Sequence, residues 1–290
     1  MTNALNPHGK EQPSTYFVQD RSNKEEMTRL KLQDQLITTA MGGVLPEQTD
    51  TTRFRRILDI GCGTGGWLIE LARTCPTCQQ LVGIDISKRM VEYAREHAYD
   101  ARQDHISFHV MDALRMLEFT DGFFHLVNLR FGSSFVRTWE WPKLLEEMRR
   151  VCRLDGVIRL TEPAILTQSS SAALLRLCAL LQYAFFRAGY YVENTPTGIT
   201  AHLSRLLTQF GGRYVQVHER PYSLLFQAGT PSGDAFVEDM VHAFHVLQPF
   251  LAKWGALLSD YDTLSQQALE EMHQPDFSAT AEVLTTWASQ

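Results

Sequence analysis

The chain predicts an α/β protein built on a mostly parallel sheet with helices on both faces. Three observations carry that expectation. Strand-like and helix-like segments alternate between residues 56 and 161, the pattern of right-handed strand–helix–strand units. The first strand, Arg56 to Ile60, runs into the cluster Gly61-Cys62-Gly63-Thr64-Gly65-Gly66, and an amphipathic helix leaves it at Trp67. Carboxylates then follow the second and third strands, at Asp85 and Asp112. In open α/β sheets ligands bind at that end of the strands.

The elements follow in order. Residues 1 to about 20 are polar and contain Pro7 and Pro13, so they read as loosely ordered. Ser22 and Glu25 form a capping box, and Met27, Leu30, Ile37 and Met41 recur at helical spacing up to the stop at Gly42-Gly43. Strand two is Leu81 to Ile86, and Ser87 caps a helix carrying Met90, Val91, Ala94 and His97. Strand three is Ile106 to Met111, with Ile106, Phe108 and Val110 on one face; strand four is Phe124 to Leu129. Trp141-Pro142 starts a helix with Leu144, Leu145, Met148 and Val151, proline suiting a first turn. Asp155-Gly156 turns into strand five, Val157 to Thr161. A long apolar helix spans Ser169 to Gly189, and a linker, Tyr190 to Thr200, leads to a helix ending near Gly211-Gly212. Tyr214 to Glu219 reads as strand six, two helices cover roughly Gly233 to Trp254 and Asp260 to Met272, and Ala281 to Ala288 reads as an antiparallel strand seven. The expected organisation is a helical lid over residues 1–50 and a core over 51–220 and 279–290. The core includes a helical cap segment at about 166–210, and 221–278 is a helical insertion.

Composition narrows the class of function. The chain is 44% hydrophobic and 21% charged, ordinary values for a globular protein. No apolar run approaches the roughly 20 residues of a bilayer span, and Met1 to Gln19 lacks the apolar stretch of a signal peptide, so a cytoplasmic location is expected. The net charge of −6 argues against nucleic acid as a partner. Five cysteines, an odd number, suit a reducing compartment. Cys75-Pro76-Thr77-Cys78 has the spacing of a redox pair or half a zinc site, but no second pair accompanies it, and no metal site is predicted. The density of Leu and Phe between Ala172 and Phe186 reads as a possible homodimer face.

The glycine cluster, Asp85 and Asp112 concentrate the chemistry. Glycines let the loop turn at positive φ and let a ligand approach the backbone. A carboxylate ending the second strand can bind both hydroxyls of a ribose, a logic shared with nicotinamide-dependent enzymes, so Asp85 alone does not choose the cofactor. The combination of Asp59, Gly61, Gly63, Gly65, Asp85 and Asp112 resembles the class I S-adenosylmethionine (SAM)-dependent methyltransferases over about residues 55 to 162. That resemblance implies a Rossmann-like, seven-stranded sheet with helical cap elements. It implies that Asp85 and Ile86 meet the ribose, that Asp112 and Ala113 meet the adenine, and that Asp59 orients the loop or meets the methionine ammonium. Cys62 would pack beside the cofactor, and Asn128 would sit near the transferable methyl. The family's Pro-Gly-Gly turn before strand five is degraded here to Asp155-Gly156-Val157, and Phe124-His125 stands where Phe-Asp is common.

The expected activity is methyl transfer from SAM, with S-adenosylhomocysteine (SAH) as product, to an oxygen, nitrogen or carbon of a small, largely apolar molecule. The architecture resembles bacterial small-molecule methyltransferases of quinone and natural-product pathways. Tyr16, Arg130, Glu162 and Tyr190 are candidate substrate contacts, and Glu162, His202, His242 and His245 are candidate bases. Two other functions stay open: a methyltransferase acting on RNA or protein, against which the acidic charge and the missing Pro-Pro-Tyr after Asn128 argue, and a SAM-binding protein that catalyses another reaction.

Overall fold

The computed structural model describes residues 16–18, 24–210 and 216–289. Ser22, Gly211, Gly212 and Tyr214, named above as a cap, a helix stop and a strand start, lie outside them. In chain order the elements are α1 (Lys24–Ala40), β1 (Arg56–Ile60), α2 (Gly66–Thr74), β2 (Gln80–Asp85), α3 (Lys88–Asp100), β3 (Ile106–Val110), β4 (Phe124–Arg130), α4 (Trp141–Val151), β5 (Cys152–Pro163), β6 (Gln168–Ser169), α5 (Ala172–Ala188), α6 (Leu203–Phe210), β7 (Gln216–Gln227), α7 (Pro231–Lys253), α8 (Tyr261–Met272) and β8 (Ser278–Ser289).

One mixed sheet holds all the strands. Its order is β3-β2-β1-β4-β5-β8, with β7 on the far edge of β8. β1 to β5 are parallel, and β8 runs antiparallel to both β5 and β7. Strand order reverses at β1, which β2 and β4 flank, so the crevice for a ligand opens where β1 and β4 end. Alternation along each strand sends Leu58, Ile60, Val82, Ile84, Val127 and Leu129 to a core with α4 and α6. It sends Ile57, Leu81, Leu126 and Val157 to a second core with α2. A third core joins α1, α5, α7 and α8 to the outer halves of β7 and β8. This cap stands over the end of the sheet where the crevice opens.

Four features differ from the sequence expectation. Among the described residues the sheet has eight strands, the extra one being the two-residue β6 beside the start of β8. β7 runs to Gln227, so the segment 221–278 begins as a strand and becomes helical only at Pro231. The alternation of buried Tyr222, Leu224 and Phe226 drives this, and Pro221 is tolerated because β7 is an edge strand. β3 is the opposite edge: Phe108 is buried but Val110 is exposed, so its three alternating residues do not share one buried face. Finally, the apolarity of α5 is used within the chain, where Leu174, Leu177, Ala184 and Phe185 pack in the cap core. The reason for expecting a homodimer face there is thereby removed.

Cys75 and Cys78 are joined as a disulfide at the end of α2. No helix among the described residues is long and apolar enough to cross a membrane.

Candidate functional site

The loop between β1 and α2 is shaped by its glycines. Gly61, Gly63 and Gly65 all have positive φ, at 67°, 52° and 76°. They serve different ends. A Cβ on Gly63 would meet nothing within 4 Å, so this backbone faces open space, whereas a Cβ on Gly65 would lie 2.7 Å from the Phe108 ring. Gly63 therefore leaves room for a ligand, and Gly65 lets α2 pack on β3. The loop is held by the Asp85 carboxylate, which accepts from the Gly63 N–H at 3.0 Å and from the Ser87 N–H at 2.8 Å.

A cavity of about 360 Å³ begins at this loop and runs under the cap. Gly61, Gly63, Asp85, Ile86, Met111, Asp112 and Ala113 line one end. The Asp112 carboxylate accepts from the Leu114 N–H at 2.9 Å and pairs with Arg115 at 3.2 Å. Arg130, Ser133 and Ser134 line the middle, and the far end is walled by apolar side chains of α5, α7 and β7, including Leu177, Phe185, Phe226, Phe236 and Phe244.

Arg130 ends β4 and is almost fully buried. Its Nη1 donates to Asp34 at 2.7 Å and to Thr38 at 3.1 Å, which fastens α1 across the mouth of the sheet. Its Nη2 is buried with no hydrogen-bond partner among the described residues. One and a half turns earlier on α1, Arg29 donates through Nε and Nη2 to both oxygens of Glu26, at 2.7 and 2.8 Å. The Tyr16 hydroxyl donates to the same carboxylate at 2.5 Å. Arg29 Nη1 stands 3.8 Å from Oδ1 of Asp239 on α7. Burial pushes Asp239 up to about 6, against the pull of Arg29. Tyr16, Arg29 and Asp239 all line the cavity.

The sequence candidates divide accordingly. Gly61, Gly63, Asp85, Ile86, Asp112, Ala113, Tyr16 and Arg130 line the cavity; Asp59, Cys62, Gly65, Asn128, Glu162, Tyr190, His202, His242 and His245 do not. Asp59, Asn128 and Arg159 are register partners on β1, β4 and β5. Asn128 Nδ2 donates to Asp59 at 2.7 Å, Arg159 Nη1 donates to the Asn128 oxygen at 2.8 Å, and Arg159 Nε donates to Glu47 at 2.7 Å. Asn128 is thus consumed inside the sheet, two residues short of the end of β4, where Arg130 on the same face reaches the cavity. Burial raises Asp59 to about 7 despite the hydrogen bond from Asn128.

Glu162 likewise lies outside the cavity lining. It is fully buried, and its carboxylate accepts from the Gly132 and Ser133 N–H groups and the Ser133 hydroxyl, holding the turn that follows β4. Burial raises it to about 7, against those hydrogen bonds. His245 is exposed and pairs with Glu25 at 2.6 Å, so it is no base for the cavity. Tyr190 packs on Phe185 and Phe250, and its neighbour Tyr191 takes the lining position.

Glu26, Arg29 and Asp239 were missed by sequence reasoning. The signal was present on α1: Glu26 and Arg29 share a helical face with Leu30, Gln33 and Ile37, and both charged residues are more buried than Met27 or Leu30. Apolar periodicity alone passes over such positions. Asp239 sits among buried apolar residues of α7 with no comparable cue. Among the described residues, no group of three or more His, Cys, Asp or Glu side chains is placed to hold a metal ion.

The reversal of strand order, the open glycine loop and the two strand-end carboxylates are the features by which the chain resembles the class I SAM-dependent methyltransferases. Residues 57–156 match the family model described as a methyltransferase domain. Over 136 residues the chain is 32% identical to the ubiquinone/menaquinone biosynthesis C-methyltransferase UbiE of Geotalea uraniireducens, covering 46% of this chain and 53% of that protein. The chain spans about half the length of the curated relatives it matches. Its fold is similar to phosphoethanolamine N-methyltransferase 2 of Haemonchus contortus, with a TM-score of 0.55 at 17% identity over 94% of this chain and 59% of that one. It is also similar in fold to the [4+2]-cyclase SpnF, with a TM-score of 0.52 at 18% identity, covering 91% of this chain and 94% of that one.

Proposed function

We propose that this chain is an enzyme that transfers a methyl group from SAM to a nucleophilic oxygen, nitrogen or carbon of a small, largely apolar molecule, and that quinone-type carbon methylation is its nearest model. The observation that carries this is the continuity of the cavity. The glycine loop, Asp85 and Asp112 bound one end, and an apolar, aromatic chamber under the cap bounds the other. The 32% identity with UbiE over 136 residues, and the match of residues 57–156 to the methyltransferase domain model, support the same reading. Concave, mostly apolar chambers with few polar groups suit small organic ligands.

The residues present fit SAM. Gly63 opens backbone to the cavity, Gly61 lines it beside the Phe135 ring, and each oxygen of Asp85 accepts one backbone N–H, which fixes a carboxylate that can also accept from ribose hydroxyls. Asp112 and Ala113 would meet the adenine, between Ile86 and Met111. When bound, the sulfonium supplies an activated methyl group. The protein's part is to hold the acceptor in line and exclude water, and orientation of this kind contributes up to about 7–11 kcal/mol. The apolar walls from α5 and α7 serve that exclusion.

The test is calorimetric titration of the purified protein with SAM and SAH, with Asp85→Ala beside it. The expected result is micromolar binding of both, weakened about 100-fold in the variant, the scale of two lost hydrogen bonds to a charged acceptor. Binding of neither by the unaltered protein would overturn the proposal.

A further inference from the structure

The two polar clusters on α1 leave different groups unsatisfied. At the sheet end, Asp34 and Thr38 hold Arg130. At the cap end, five residues earlier and therefore about 7.5 Å along the helix axis, Arg29 faces Asp239. Glu26 takes Nε and Nη2 of Arg29. Asp239, 3% exposed, keeps Oδ1 buried with no hydrogen-bond partner among the described residues. Its separation of 3.8 Å from Arg29 Nη1 is an ion pair, too long for a hydrogen bond. Both side chains line a chamber whose other walls at this end are Phe236, Met240, Ala243 and Phe244. A buried carboxylate oxygen without a donor is costly unless a ligand supplies one.

We propose that Asp239 and Arg29 form a hydroxyl-binding subsite in the cap, and that the substrate is an apolar molecule carrying a phenolic or alcoholic hydroxyl that seats there. This rests on the methyltransferase reading and names the substrate class for it. The choice of hydroxyl follows from the pair itself. One oxygen can lie within hydrogen-bond distance of both Asp239 Oδ1 and Arg29 Nη1, donating to the first and accepting from the second. An ammonium would satisfy Asp239 but bring a second cation against Arg29 in an apolar surround. A carboxylate would bring a third acidic group beside Glu26 and Asp239. A hydrocarbon would leave Oδ1 as it is. Because the subsite is on the cap, it orients the substrate from the side away from the glycine loop.

The experiment measures binding of two probes of similar size, 1-naphthol and 1-methylnaphthalene, to the SAH-loaded protein. The full chain is used, with Asp239→Asn and Asp239→Leu as variants. The expected result is a preference for 1-naphthol of at least tenfold. Asp239→Asn, which keeps shape and one neutral acceptor, should reduce it, and Asp239→Leu should abolish it, while SAH affinity stays within twofold throughout. An equal preference in Asp239→Leu and the unaltered protein overturns the subsite, as does the absence of any preference or of any probe binding. Failure of SAH to bind strikes the methyltransferase reading instead. The same probe series on the unloaded protein then decides the subsite separately.

Discussion

At the scale of single residues, the row Asp59–Asn128–Arg159 shows how a motif position can serve the sheet instead of the ligand. Each member sits opposite the next in register, and the chain ends on Glu47. Asp59 has an ordinary value of 3.8 in the unfolded chain and about 7 in the folded one. The folded protein therefore holds that proton more tightly. The resulting stability is complete below about pH 4 and is lost as pH rises through 7. Asp59→Asn, neutral at every pH, should remove this loss. Stability of the unliganded protein should fall less steeply between pH 5.5 and 8 in the variant, the difference approaching at most about 1.4 kcal/mol per pH unit. Urea denaturation at the two pH values checks it, and parallel slopes would sink the assignment.

At the scale of elements, α1 is tied down at two points by buried charges, to β4 through Asp34–Arg130 and to α7 near Arg29 and Asp239. Its apolar stripe is modest, and the ties compensate. Arg29→Met would strand Glu26 and Asp239 as buried carboxylates without a cation, costing about 3–5 kcal/mol. The double variant Arg29→Met/Glu26→Met should be less destabilised than Arg29→Met alone, because it removes one of the stranded charges along with the cation. Denaturation midpoints of the two variants decide this; a double variant that is the worse of the two contradicts the buried-pair account.

For the whole molecule, the cavity belongs to no single element. Its floor comes from the β1 and β4 ends and its roof from α1, α5 and α7. Ala243 lines the cap end from α7 and is 5% exposed. Ala243→Trp should fill the chamber there and leave the glycine loop alone. SAH binding should persist, and 1-naphthol binding to the SAH-loaded protein should fall at least tenfold. Equal loss of both ligands would mean that the two ends are not separate compartments.

The parallel sheet, the glycine turn, Asp85 and Asp112 were legible in the sequence because each is local. A strand period, a positive-φ turn and a carboxylate at a strand end are fixed by residues within a few positions of one another. The helices were legible for the same reason, down to the Ser87 cap, whose hydroxyl accepts from the Met90 N–H. What the sequence could not decide was which way a strand-end side chain faces and what meets it from elsewhere. Asn128, two residues before the end of β4, was expected near the cofactor, and Glu162, one residue before the end of β5, at the substrate. Tertiary packing spent one on Asp59 and Arg159, and the other on the turn at Gly132 and Ser133. Arg29 and Asp239 lie 210 positions apart and meet only because α7 crosses α1. The cofactor half of the site is thus a property of short chain segments. The proposed acceptor half is a property of distant segments brought together, where burial decides which charges are paired.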